Sequence, residues 1–180
     1  MLGILDPSTL TTPPTPILRA VVHRLTTHGV RVVGALETRA PVSPDTNHPH
    51  MELEVLGHPQ PIRISQTLGS QATGCRLDSA GLEQAVGLVS AQMDDIPFGS
   101  PSIAQVVIVN KFGKQEAAGR GFRTVIAQAI GADIPVLVCV SPAYRAAFDA
   151  FAGGLGTPLA LDDVTIHDWV MAQIWSAQTT

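Results

Sequence analysis

Apolar residues along this chain alternate between short continuous runs and helical spacings. Residues 3–5 form a brief apolar run that ends at Asp6-Pro7, and a stretch rich in Ser, Thr and Pro follows. Leu18, Val21, Val22 and Leu25 then recur at helical intervals, with a stop at His28-Gly29, and residues 32–36 read as a second strand. This is a strand-helix-strand unit, for which a parallel sheet implies a right-handed crossover. Residues 51–56 and 61–65 are short extended stretches around Gly57-His58-Pro59 and predict a hairpin. From Ser79, the spacing of Leu82, Ala85, Val86, Val89 and Met93 predicts a helix, which the Pro/Gly/Ser-rich stretch at 96–102 ends.

The second half repeats the alternation. Residues 105–110 and 134–140 are β-branched and almost wholly apolar, as strands buried on both faces are. Phe122, Val125, Ile126, Ala129 and Ile130 mark an amphipathic helix between them. Ser141-Pro142 reads as a helix start, with Tyr144, Ala147, Phe148 and Phe151 as its buried stripe and Gly153-Gly154 as its stop. A last helix is predicted over 163–177, burying Ile166, Trp169 and Val170. The expected fold is a doubly wound, mainly parallel α/β sheet with an added β-hairpin. Ligands of such sheets bind outside the carboxyl ends of the strands, so the loops after Leu5, Asn110 and Val140 are the places to search.

Composition narrows this picture. A length of 180 residues suits one domain spanning residues 1–180. Residues 41–50 carry three prolines and no apolar pattern, and are expected to form an exposed loop. Only 14% of residues are charged against 45% hydrophobic, as a sheet covered on both faces requires. A net charge of -4 gives no electrostatic reason to expect nucleic acid. No apolar run approaches the ~20 residues that span a bilayer, and no leader pattern opens the chain; a cytoplasmic location is expected. The two cysteines are far apart: Cys139 reads as a small core residue, whereas Cys75 stands where a thiol meets solvent or ligand.

Chemistry concentrates after the strand at 105–110. Lys111 and Lys114 are the chain's only lysines, and with Arg120 and Arg123 they place four of the eleven cationic residues in one loop and the helical turn after it. Glycines at 113, 119 and 121 permit close backbone approach. One reading is an oxyanion or phosphate site, in which Lys111 or Lys114 supplies point charge and Arg120 bidentate donors, next to Asn110. The other is a solvated loop whose cations pair with Glu116 and other carboxylates. Two nucleotide-binding motifs nearly match and fail: Gly113-Lys114 lacks the upstream glycine and the following Ser or Thr of a P-loop, and Asn110-Lys111-Phe112-Gly113 lacks the carboxylate of a guanine reader. Residues 6–15, where a P-loop would stand, hold neither glycine nor lysine, although Ser8 to Thr15 offer hydroxyls.

A second candidate element, rich in hydroxyls, amides and glycines, runs from Ser65 and Gln66 through Gly69 to Cys75 and Arg76. It closes over the same site, or else is a polar loop held by its own hydrogen bonds. His48-Pro49-His50 fits a surface loop better than a soft-metal site, because no further ligand lies at metal-site spacing. No metal site and no hydrolase triad are expected.

On these residues the chain resembles a bacterial family of unknown function, whose members are associated with genes for molybdate transport and molybdoenzyme maturation. The matching segments include Ile64-Ser65-Gln66, Gly74-Cys75-Arg76-Leu77-Asp78, Val109-Asn110-Lys111-Phe112-Gly113-Lys114 with Glu116 and Gly119, Pro135-Val136-Leu137 and Phe151-Ala152-Gly153-Gly154. More distantly it is similar to nucleoside triphosphatases of the P-loop class, which implies a three-layer fold. In those enzymes a strand ends in Asp-Glu to hold magnesium and polarise water, and here the corresponding pair is Asn110-Lys111.

The family supplies no established reaction; with the missing lysine at residues 6–15 and the Asn110-Lys111 pair, the expected function is a non-hydrolytic accessory protein that binds an oxyanion, molybdate or tungstate, or a nucleotide phosphate, in molybdenum metabolism, where a protein partner is one expectation. Ser65, Gln66, Gly69, Cys75, Arg76, Asn110, Lys111, Lys114, Glu116 and Arg120 are the expected binding residues. One alternative is a nucleoside triphosphatase with Glu116 as base. Another is a protein-interaction module whose cationic loop docks on an acidic partner. The oligomeric state is left open.

Overall fold

The computed structural model describes residues 1–39, 50–66, 76–95 and 105–177. The expected exposed loop at 41–50, apart from His50, and the helix stop at 96–102 fall outside these residues, as do Gly69 and Cys75.

The chain runs β1 (Leu2–Leu5), a 3-10 turn (Pro7–Thr9), α1 (Thr15–Thr27), β2 (Arg31–Arg39), β3 (Met51–Val55), β4 (Ile62–Arg63) and α2 (Ser79–Asp94). It continues with β5 (Gln105–Phe112), α3 (Lys114–Ala117), α4 (Arg123–Gly131), β6 (Val136–Val140), a second 3-10 turn (Pro142–Tyr144), α5 (Arg145–Ala152), β7 (Gly156–Leu159) and α6 (Asp163–Ala177). The strands form one sheet in the order β4-β3-β2-β5-β6-β1-β7. Pairings from β2 to β7 are parallel, whereas β3 lies antiparallel to β2 and β4 antiparallel to β3. The parallel core and the added hairpin are those read from the pattern. β1 and β2 share the sheet as expected, but β5 and β6 stand between them.

Burial on both faces follows from strand alternation, because successive side chains point to opposite sides. In β5, Val107 and Val109 join a cluster with α2, α4 and α5, while Val106 and Ile108 join one with α1 and α6. In β6, Val136 and Val138 face the first cluster, and Leu137 and Cys139 the second. Each fully buried Val, Leu or Ile stabilises the fold by about 1.5–3 kcal/mol relative to exposure, so these paired faces carry the core. The result is three layers: helices, sheet, helices.

Three elements differ from the sequence reading. β7 was not expected, because a four-residue run containing Pro158 carries little strand signal. It forms at the sheet edge, where a proline without an N–H is tolerated. The helix expected from Ser141 begins at Arg145, after a 3-10 turn closed by Tyr144 N–H donating to the Ser141 carbonyl at 2.9 Å. α3 forms within the stretch read as loop, for a reason that belongs to the site below.

Two core positions tolerate little change. Gly34 in β2 has φ +142, and a Cβ there would lie 2.0 Å from the Ile108 carbonyl oxygen of β5. Gly34→Ala is therefore expected to lower unfolding free energy by at least ~2 kcal/mol, read from the urea midpoint at unchanged slope. Burial, with a smaller contribution from the nearby Asp6 charge, pushes the Cys139 thiol up to about 12. Since the thiolate is the nucleophile, iodoacetamide at pH 8 should leave Cys139 unmodified in the native protein and alkylate it in urea, as read by peptide mass spectrometry.

Candidate functional site

The site forms where β5 leaves the sheet. The parallel register of β5 with β6 shifts between Val109 and Phe112. Such irregularities re-aim side chains. Phe112 consequently packs in the same cluster as Val107 and Val109, although strict alternation would turn it to the opposite face. The consecutive residues Asn110 and Lys111 both line one cavity of about 460 Å³.

Glu116 organises the turn that follows. One carboxylate oxygen accepts from the Gly113 N–H at 2.9 Å, and the other accepts from the Phe122 N–H at 3.2 Å. The first bond caps α3, with Glu at the third helical position reaching back to the residue before the helix. The second ties the start of α4 to the same carboxylate. Gly121 completes the closure with φ +58, since a Cβ there would fall 2.4 Å from a Glu116 carboxylate oxygen. A Glu three residues after Gly113 is the available sequence signal for this turn, whereas the sequence reading gives Glu116 the roles of ion-pair partner, binding residue or base.

The cavity wall comes from β2, β3, α2, β5 and α3 and from residues between them. Ala35 and Glu37 face it from β2, Met51 and Leu53 from β3, and Leu82 from α2. The end of β5 and the turn after it add Asn110, Lys111, Gly113, Lys114, Gln115, Glu116 and Phe122, and Ile64, Arg76 and Leu77 complete the lining. Of the expected site residues, the fold thus gathers Asn110, Lys111, Lys114, Glu116 and Arg76. Lys111 and Lys114 are exposed at the rim, and Arg76 is half-buried. Among the described residues none of these three cations has a carboxylate partner. The alternative reading, in which the loop's cations pair with Glu116, finds no such ion pair among the described residues; the Glu116 oxygens meet the Gly113 and Phe122 amides instead.

Other expected residues lie apart from the cavity lining. Arg120 is exposed and donates through Nε to the Gln115 side-chain carbonyl at 3.0 Å. Arg123 stacks over the Phe151 ring at 4.4 Å and donates to the Glu116 carbonyl at 3.3 Å. Ser65 is buried, and its hydroxyl accepts from the Met51 N–H at 3.1 Å and sits 3.2 Å from His50 Nδ1. Gln66 is exposed, with its N–H donating to the Arg76 carbonyl at 2.7 Å. Ser65 and Gln66 thereby fasten the base of the 65–76 element. Glu37, which reasoning from sequence passed over, stands in a strand and carries no motif.

The loop after β1 approaches the site from the other face. Its first turn is capped by Asp6, whose carboxyl is held below the ordinary range chiefly by the Ser8 backbone N–H. At the start of α1, Thr15 Oγ1 donates to the Glu37 carbonyl at 3.2 Å and lies 3.5 Å from Asn110 Oδ1. In P-loop enzymes a hydroxyl at this helix start and a carboxylate at this strand end hold magnesium. Here the donors are a hydroxyl and a neutral amide beside the Lys111 ammonium, and among the described residues no His, Cys, Asp or Glu cluster could hold a metal. These residues do not fit a magnesium ion.

The strand order and layering define the class: a three-layer α/β fold of the P-loop nucleoside-triphosphatase kind. It superimposes on the solution structure of a human cancer-related nucleoside triphosphatase with a TM-score of 0.64 and 13% identity, covering 99% of this chain and 98% of that one. THEP1 from the hyperthermophile Aquifex aeolicus gives a TM-score of 0.56 at 12% identity, with both chains covered in full. The chain belongs to the family described as protein of unknown function (DUF2478), which it matches over residues 7–169. It is also 44% identical over 109 residues to the molybdenum import ATP-binding protein ModC 2 of Bradyrhizobium diazoefficiens. That match takes in 60% of this chain and spans 11% of the relative's length. Among the described residues no helix is long and apolar enough to cross a membrane.

The clasp makes a stability prediction. Glu116→Ala leaves two backbone donors without their acceptor and should cost about 2–6 kcal/mol by urea unfolding, at ~1–3 kcal/mol per orphaned group. Glu116→Gln keeps one acceptor oxygen and should fall between it and the native protein.

Proposed function

We propose that this chain is a non-hydrolytic binding protein for an oxyanion or a nucleotide phosphate, acting as an accessory in molybdenum handling. The observation that carries this reading is the pair Lys111 and Lys114, set at the carboxyl end of β5 on the rim of the cavity, with Arg76 also in the lining and, among the described residues, no ion pair formed by any of the three, although Glu37 and Glu116 share the lining. Cations held this way attract an anion by charge, and Arg76 adds directional donors. The identity with a molybdenum import protein supports the metabolic setting. Absence of hydrolysis is supported by three features: residues 6–15 lack glycine and lysine, Asn110-Lys111 stands where a carboxylate pair would hold magnesium, and both Glu116 oxygens are engaged by N–H donors. The last feature counts against a triphosphatase that uses Glu116 as base, since the carboxylate is 5% exposed and already serves two backbone donors, which leaves little of it open to an attacking water.

Melting curves with molybdate, tungstate, sulfate, ATP and GTP, each tested separately, check the proposal. A ligand at about a hundred times its Kd stabilises by ~2.7 kcal/mol, so a rise of about 5–10 °C is expected for the anion that binds. The shift should vanish in Lys111→Ala/Lys114→Ala, weaken in Arg76→Ala and persist in Arg120→Ala, whose guanidinium is engaged with Gln115 away from the cavity. A shift that survives the double lysine change would refute the assignment of the site. Magnesium-dependent phosphate release from ATP or GTP would refute the non-hydrolytic character.

A further inference from the structure

The cavity is much larger than an inorganic oxyanion requires, and its floor has the wrong chemistry for one. At about 460 Å³ it falls in the range of roughly 300–1,000 Å³ of sites for small organic molecules. Ala35, Leu53, Ile64, Leu82 and Phe122 form an apolar floor, and these five side chains are buried in the core. The cations in the lining are Lys111 and Lys114, exposed at the end of β5 and the start of α3, and the half-buried Arg76, and they share it with the carboxylates of Glu37 and Glu116. A bare tetrahedral anion on the lysines would leave this apolar surface uncovered, and a neutral apolar molecule would leave the cations without a partner. Both surfaces are matched by one molecule with an apolar body and an anionic end.

We infer that the cavity binds an organic anion, an aromatic or heteroaromatic ring system carrying a phosphate-type group, with the ring on the Ala35–Leu53–Leu82–Phe122 floor and the anionic group on Lys111 and Lys114. This rests on the anion-binding reading above and makes it narrower. Glu37, on the β2 wall, offers an acceptor to an N–H or O–H on the ring edge. Burial of the ring adds apolar contact that inorganic phosphate lacks, and affinity should rise with it.

Three probes separate the contributions in the full chain: 1-naphthyl phosphate, inorganic phosphate and 1-naphthol, with Kd measured by calorimetry or ligand fluorescence. 1-Naphthyl phosphate is expected to bind at least tenfold tighter than either fragment. Lys111→Ala/Lys114→Ala, which changes only exposed side chains, should weaken it at least tenfold and leave the melting temperature of the free protein within a few degrees. Ala35→Leu, which fills the floor, should weaken 1-naphthyl phosphate and leave inorganic phosphate unchanged; its cooperative melting is checked first, and the fragment comparison stands without it. If inorganic phosphate or molybdate binds as tightly as 1-naphthyl phosphate, the inference is overturned while the anion-binding reading survives. If 1-naphthol binds as tightly and the lysine changes have no effect, both are overturned. If no probe binds, the inference is likewise overturned, and the melting curves with molybdate and nucleotides decide the anion-binding reading.

Discussion

The carboxylate of Glu116 is the constraint on which the site depends. It lies almost entirely out of water and accepts one backbone N–H from each end of the turn between β5 and α4. A buried carboxylate is costly without partners, and here the partners are the two amides that would otherwise be orphaned at the helix starts. The same bonds fix where α3 begins, how Phe122 enters the cavity wall and which way the two lysines leave the chain. Gly121 is part of the device, since any side chain there would collide with the carboxylate.

A second constraint comes from the irregular register at the end of β5. A regular strand would send Asn110 and Lys111 to opposite faces of the sheet. The shift between Val109 and Phe112 allows both to line one cavity and still returns Phe112 to the core, against Phe148 at 5.1 Å. Asn110 also meets Thr15 at the start of α1, so the β1 loop and the β5 turn converge at one corner of the sheet. This is the corner that P-loop enzymes use for nucleotide and magnesium. Here β5 ends in Asn110 and Lys111, an amide and an ammonium, with no carboxylate at either position.

Much of the fold was legible in the residues. Runs such as Val106–Val109 and Val136–Val140 have to be strands covered on both faces, because every side chain in them is apolar. The 3.6-residue spacings of α1, α2 and α4 leave one face for the sheet. β7 was not legible, because its stability comes from pairing with β1 at an edge that tolerates Pro158, and pairing partners are not local information. The later start of α5 likewise reflects a 3-10 turn selected by packing.

For the candidate site the division is similar. The sequence by itself marked the segment from Asn110 to Arg120, since the chain's only lysines stand there among glycines after a buried strand, and it put neither glycine nor lysine at residues 6–15 and no carboxylate at 110–111. Only the tertiary structure decided which charges face the cavity. It set Lys111 and Lys114 on the rim and Arg76 in the lining, turned Arg120 to Gln115 and Arg123 to Phe151, and committed Glu116 to the backbone. The physical reason is that residue type and spacing fix what a side chain can do, whereas strand register, turn closure and competition for hydrogen-bond partners fix where it points.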